Sequence, residues 1–114
     1  MIGFKKKLNA ALESDIARYL IKRVAEIGGI CRKVAWEGRS GAPDYLVMCG
    51  GIHIFVETKA PGKKPRPSQL REFAAMFEHG GLDVVIVSTF QDIDALIWSI
   101  QTCRHSSPAN TSQS

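Results

Sequence analysis

Two adjacent glycines, Gly50 and Gly51, separate the apolar runs 45–49 and 52–56, and no other feature limits this chain's folding as tightly. A two-residue hairpin turn of type I′ or II′ needs positive φ, which glycine adopts without steric cost. If these two form the turn, Cys49 faces Ile52, and counting outward sets Asp44 opposite Glu57. Directly opposed residues share a face of the sheet, with Cβ atoms about 4.5–5.5 Å apart. Lys59, two positions beyond Glu57, projects from that face as well. Two carboxylates so placed raise each other's pKa unless a cation lies between them. A divalent metal would meet that need, with the Lys59 ammonium beside it.

A chain of 114 residues with 45% hydrophobic content suits one soluble α/β domain with one core. No apolar run approaches the ~20 residues that cross a bilayer. The basic start, Met1 to Lys7, lacks the apolar segment of a secretory signal. Cys31, Cys49 and Cys103 are few, odd in number and widely spaced. That pattern fits neither a disulfide framework nor a zinc site, and it suggests a reducing cytosol, so a cytoplasmic location is expected. Residues 1–71 hold 14 Lys and Arg against 6 Asp and Glu, whereas residues 72–114 hold 1 against 5. A basic half is the electrostatic footprint of a protein that meets a polyanion, although a solubilising surface would look similar.

Apolar residues Leu8, Leu12, Ile16, Tyr19, Leu20, Val24 and Ile27 recur at helical spacing, which predicts a helix over residues 9–27 ended by Gly28 and Gly29. Residues 30–36 read as a strand, and the hairpin supplies strands at 44–49 and 52–59. The segment from Ala60 to Pro67 carries three prolines and three basic residues and should be an exposed loop. Ser68 is the predicted N-cap of a helix over 68–79, with Leu70, Phe73, Ala74 and Phe77 as its buried stripe. Residues 82–88 read as a near-continuously apolar strand, buried on both faces. A last helix over 91–103 presents Ile93, Leu96, Ile97 and Ile100. From Arg104 the Ser-, Pro-, Asn- and Gln-rich tail, 104–114, is expected to be disordered. The order αβββαβα predicts a four-stranded mixed sheet flanked by helices, with residues 1–103 forming a single domain.

Glu13 falls inside the apolar arc of the first helix, and glutamate is almost never buried unpaired. It therefore joins the acidic pair as a candidate, the alternative being a residue at the edge of the stripe that salt-bridges Arg23 or Lys59. Gln69, in the first turn of its helix, is either a further site residue or part of ordinary helix-start chemistry.

Gly41-Ala42-Pro43-Asp44, Glu57-Thr58-Lys59 and Ser68-Gln69 after a basic Pro-rich loop resemble the virus-type replication-repair nuclease (VRR-NUC) family. That family belongs to the PD-(D/E)xK superfamily of restriction-endonuclease-like folds, and the likeness runs from about Glu13 to Ser88. The resemblance implies a metal-dependent DNA endonuclease that hydrolyses phosphodiester bonds in branched DNA, such as four-way (Holliday) junctions, in phage or bacterial replication and repair. It implies that Asp44, Glu57 and the Thr58 main-chain carbonyl hold Mg²⁺ or Mn²⁺. By the same likeness Lys59 orients or deprotonates the attacking water, and Glu13 and Gln69 complete the catalytic set. Hard divalent cations do prefer carboxylate and carbonyl oxygens.

Arg18, Lys22, Arg32, Lys33, Arg39, Lys63, Lys64, Arg66 and Arg71 are candidate contacts to DNA phosphates, which position a duplex without reading its sequence. A non-catalytic DNA-binding or assembly module on the same fold is the alternative, as is a nuclease for flap, nicked or linear DNA or for RNA. Cutting two strands symmetrically needs two sites, so a homodimer is expected. Trp98, opposite the buried stripe of the last helix, should be exposed, which makes that helix the expected interface.

Overall fold

A computed structural model describes residues 2–105, with side chains described from residue 12 to residue 104. The chain folds as α1 (Ile2–Glu26), β1 (Ile30–Lys33), β2 (Tyr45–Cys49), β3 (Ile52–Thr58), α2 (Pro67–Gly80), β4 (Val84–Val87) and α3 (Phe90–His105). The αβββαβα order is as expected. The strands form one sheet in the order β1-β2-β3-β4, antiparallel except for the parallel β3–β4 pair.

Gly50 and Gly51 take φ of 57° and 84°, the signs that a type I′ turn requires at both central positions. The turn fixes the register, with Cys49 opposite Ile52 and Tyr45 opposite Val56. Just beyond the last pair, Asp44 bonds to Thr58, the neighbour of Glu57.

Because side chains alternate across a strand, Tyr45, Val47, Cys49, Val56 and Val87 line one face of the sheet. There they meet Ile16, Leu20 and Val24 of α1 and Ile93, Leu96, Ile97 and Ile100 of α3 in one buried cluster. Full burial of such side chains is worth about 1.5–3 kcal/mol each, so this face supplies most of the fold's stability. Tyr19 and Arg23 of α1 both donate to Asp94 Oδ1 of α3, at 2.6 and 3.2 Å, and lock the two helices together. Leu12 is half-buried, and the side chain of Leu8 lies outside the described residues.

The opposite face carries α2 alone, and here the structure departs from the sequence expectation. The buried residues of α2 are Gln69 and Phe73, with Glu72, Ala75 and Met76 half-buried. Leu70, Ala74 and Phe77, three residues of the predicted stripe, are exposed. The helix is turned about its axis so that Gln69 faces the sheet. β4 is an edge strand, and Ile86 is exposed, so the expected burial on both faces does not hold.

Other boundaries shift too, and α1 begins at Ile2, seven residues before the expected start. β1 ends at Lys33, three residues before the expected end. α3 continues to His105, and Arg104 donates to the Ile27 carbonyl at 2.8 Å, so the expected disordered tail does not start at Arg104. The rest of that tail, residues 106–114, lies outside the described residues.

Candidate active site

The site forms where β2 and β3 leave the hairpin ladder and α2 begins. Asp44 sits just before β2. Its Oδ1 accepts the Thr58 N–H at 3.2 Å, and its Oδ2 accepts the Thr58 hydroxyl at 3.0 Å. Thr58, near the end of β3, is buried and thereby holds the Asp44 carboxylate in one orientation.

Glu57 is only 5% exposed. Its Oε2 accepts from Lys59 Nζ at 3.2 Å and from Gln69 Nε2 at 2.8 Å. Its Oε1 is buried and has no hydrogen-bond partner. A buried carboxylate oxygen left unpaired costs about 1–3 kcal/mol or more, so an oxygen in this position calls for a ligand. Burial pushes the Glu57 carboxyl above its usual range, and the charge of Asp44 pushes it further. Lys59, by hydrogen bond and charge, and Gln69 draw it partly back. Two acids and one ammonium in this pocket leave an excess of negative charge with one free oxygen. That donor set fits a hard divalent cation.

Gln69 answers both of its sequence readings at once. Its Oε1 accepts the N–H of Arg66 at 2.9 Å, the reciprocal half of a capping box, and its own N–H donates to the Arg66 carbonyl. Arg66, not Ser68, is the N-cap, with Pro67 at the first helical position. Because the Arg66 N–H can only donate, the amide oxygen of Gln69 must face it, and the amide NH₂ is left facing Glu57. Helix-start chemistry thus orients a donor onto the acid.

Glu13 is not drawn into this group. It is exposed on α1, and among the described residues of that stripe Ile16 is the first to be buried. Arg23 pairs instead with Glu26 and Asp94, and Lys59 with Glu57, so neither alternative partner engages Glu13. Its charge is felt at Tyr45, whose hydroxyl pKa is raised by burial first and by Asp44, Cys31 and Glu13 after it. Among the described residues no three His, Cys, Asp or Glu side chains cluster as metal ligands. Magnesium commonly uses one or two carboxylates and keeps several waters, so two acids suffice.

Three supporting roles were not among those read from the sequence. Trp36 donates its indole N–H to the Pro43 carbonyl at 2.7 Å and packs its ring against Phe55, which braces the peptide just before Asp44. The Thr58 hydroxyl clamps Asp44, where the expectation concerned its carbonyl. Gly41, at φ 87°, leaves no room for a Cβ, which would lie 3.0 Å from the Ser68 carbonyl oxygen. The glycine before Pro43-Asp44 therefore lets the loop lie against the start of α2. Only that glycine left a mark in the sequence, as part of the Gly-x-Pro-Asp string.

The basic candidates divide by location. Lys63, Lys64 and Arg66 are exposed on the loop between Lys59 and α2. Arg39 and Arg71 line a cleft of about 330 Å³ with Ser40 and Ser68, where Arg39 pairs with Glu72. The first three thus lie in the segment that links Lys59 to Gln69, and the other two line the cleft next to Ser68. Arg32 and Lys33 are exposed on edge strand β1, with Lys33 Nζ 5.7 Å from the centre of the Tyr45 ring. Arg18, paired with Asp15 at 2.8 Å, and Lys22 belong to α1 on the other side of the sheet.

Comparison with known proteins agrees with this geometry. No family model matches the sequence. Over 86 residues the chain is 46% identical to "Putative nuclease p44" of Acyrthosiphon pisum secondary endosymbiont phage 1, across 75% of this chain and 90% of that protein. A solved structure named "VRR_NUC domain" matches at a TM-score of 0.67 and 41% identity, across 75% of this chain and 92% of that one. The protein is thus an α/β domain of that architecture, with a four-stranded mixed sheet and three helices. It belongs to the virus-type replication-repair nuclease family.

Proposed function

We propose that this nuclease is a Mg²⁺- or Mn²⁺-dependent endodeoxyribonuclease that cuts branched DNA, four-way junctions foremost, by shape and not by sequence. The observation that carries the metal is the buried, unpaired Glu57 Oε1 beside Asp44. Glu57 Oε1, Asp44 and the Thr58 main-chain carbonyl would hold the cation. When bound, such an ion polarises the scissile phosphate and lowers the pKa of a coordinated water.

The chain's own groups do the rest. Lys59, held at 3.2 Å from Glu57 Oε2, keeps a positive charge where the phosphate oxygens gain negative charge. Gln69 fixes the rotation of the Glu57 carboxylate, and Thr58 fixes that of Asp44. Lys63, Lys64 and Arg66 on the loop after Lys59, with Arg39 in the neighbouring cleft, offer phosphate contacts, and none belongs to a base-reading motif. A homodimer would place two such sites on one junction and cut strands in pairs. Among the described residues no helix is long and apolar enough to cross a membrane, and the cytosol is the proposed location.

Labelled four-way junction, flap, nicked and linear DNA, incubated with Mg²⁺, with Mn²⁺ and with chelator, test this reading together. Cleavage is expected only with metal, and fastest on the junction. Equal cleavage with chelator would remove the metal, and a preference for flap or linear DNA would change the substrate. Binding without cleavage of any substrate would favour an assembly module.

A further inference from the structure

We infer that the apolar ridge on α2 is the surface on which a second copy of this chain docks, with the two α2 helices antiparallel across a twofold axis at Ala74. Leu70 and Phe77 are 52% and 57% exposed, and Ala74 between them is exposed too. Their spacing of four and three residues aligns them on one side of the helix. The ridge follows from the site itself, because Gln69 and Phe73 face the sheet and leave this stripe outside. An apolar stripe of this kind, unpartnered within its own chain, marks a protein contact and not a DNA contact.

Charge and size say which protein fits. Two α2 helices crossing antiparallel at Ala74 set Leu70 of each against Phe77 of the other, with the small alanines where the axes approach. Arg71 and Glu78 lie two turns apart on one flank of the ridge, about 10 Å along the axis. Neither has an ion-pair partner among the described residues. In the antiparallel pairing Arg71 of each copy meets Glu78 of the other, so the surface is complementary to itself, as a twofold interface requires. Ile86 is also exposed, on edge strand β4 level with Glu57. Trp98 is more exposed, at 68%, but of its helical neighbours Asp94, Ala95, Gln101 and Thr102 only the small Ala95 is apolar, so no ridge forms around it.

This inference deepens the homodimer of the reading above and rests on it for the choice of a second copy. Sedimentation of the full chain at micromolar concentration tests it. Wild type is expected at twice the chain mass, and Phe77→Glu at the chain mass. Arg71→Glu alone and Glu78→Arg alone should each weaken dimerisation by a few-fold to about tenfold, as for exposed ion pairs made twice. The double variant R71E/E78R should restore it, and Trp98→Ala should leave it intact. A monomeric wild type, a dimeric F77E, dissociation by W98A or a double variant no better than the singles would each overturn the surface. F77E should still nick linear DNA when metal is supplied. If no form cleaves while the masses behave as stated, the nuclease reading has failed and the interface stands.

Discussion

Asp44→Asn is expected to abolish metal-dependent cleavage while the protein melts within a few degrees of wild type, whereas Asp44→Ala should lose both activity and stability. The difference follows from the two bonds that Asp44 accepts from Thr58, at 3.2 and 3.0 Å. In the asparagine variant the amide oxygen still accepts the Thr58 N–H. The new NH₂ faces the Thr58 hydroxyl, which rotates to accept in turn. The fold keeps its hydrogen bonds and loses only the anionic ligand. Alanine leaves a buried N–H and a buried hydroxyl unpaired, at a cost of about 1–3 kcal/mol each. For a domain near 100 residues, each 1 kcal/mol lowers the melting temperature by about 4–8 °C. Thermal melts beside a cleavage assay check both halves. Full activity in the asparagine variant would remove Asp44 from the metal site.

Lys59→Ala is expected to slow cleavage by about 10²–10³, the typical loss when one preorganised group that stabilises developing negative charge is removed. The pH profile separates that role from simple pairing with Glu57. Burial and Asp44 raise the Glu57 carboxyl, while Lys59 holds it down in part. A raised carboxyl pKa favours the protonated form in the folded protein. The stability Glu57 contributes is therefore present at low pH and lost as pH rises through the raised value. Metal binding needs the carboxylate, so cleavage should rise with pH over that same interval. Without Lys59 the rise should move to higher pH, because two lowering influences are gone. If pairing were its only role, the variant would regain the wild-type rate at high pH. A plateau still reduced by about 10²–10³ assigns Lys59 to the chemistry.

The site was legible in the sequence where geometry is local. A two-glycine turn allows one register, so counting from Gly50 and Gly51 set Asp44 level with Glu57 and Lys59 on the face of Glu57. The α3 stripe was legible as well, since Ile93, Leu96, Ile97 and Ile100 all reach the core. What failed was each inference in which periodicity stood in for tertiary contact. The pattern of α2 marks Leu70, Ala74 and Phe77 as apolar, but it cannot say whether they are buried within the chain or against a partner. The observed rotation goes with a Gln69–Glu57 bond and a buried Phe73, and no hydrophobic count contains that bond. For Glu13 the helical projection gave an angle inside the apolar arc, while the side chain is exposed, because periodicity does not say what packs over a position. The cap at Arg66 was missed because its bond comes from Gln69, three residues on, and not from a side chain at the cap itself. Trp36 braces Pro43 across a loop, a contact for which the sequence has no short-range sign.

The central claim is that the unpaired Glu57 Oε1 and the Asp44 carboxylate face a common divalent cation. A manganese-soaked crystal, measured at a wavelength where manganese scatters anomalously, tests it directly. An anomalous peak is expected within coordination distance of Glu57 Oε1 and Asp44, absent when Glu57 is replaced by glutamine. A map with no peak there, or with manganese held only by other residues, would contradict it.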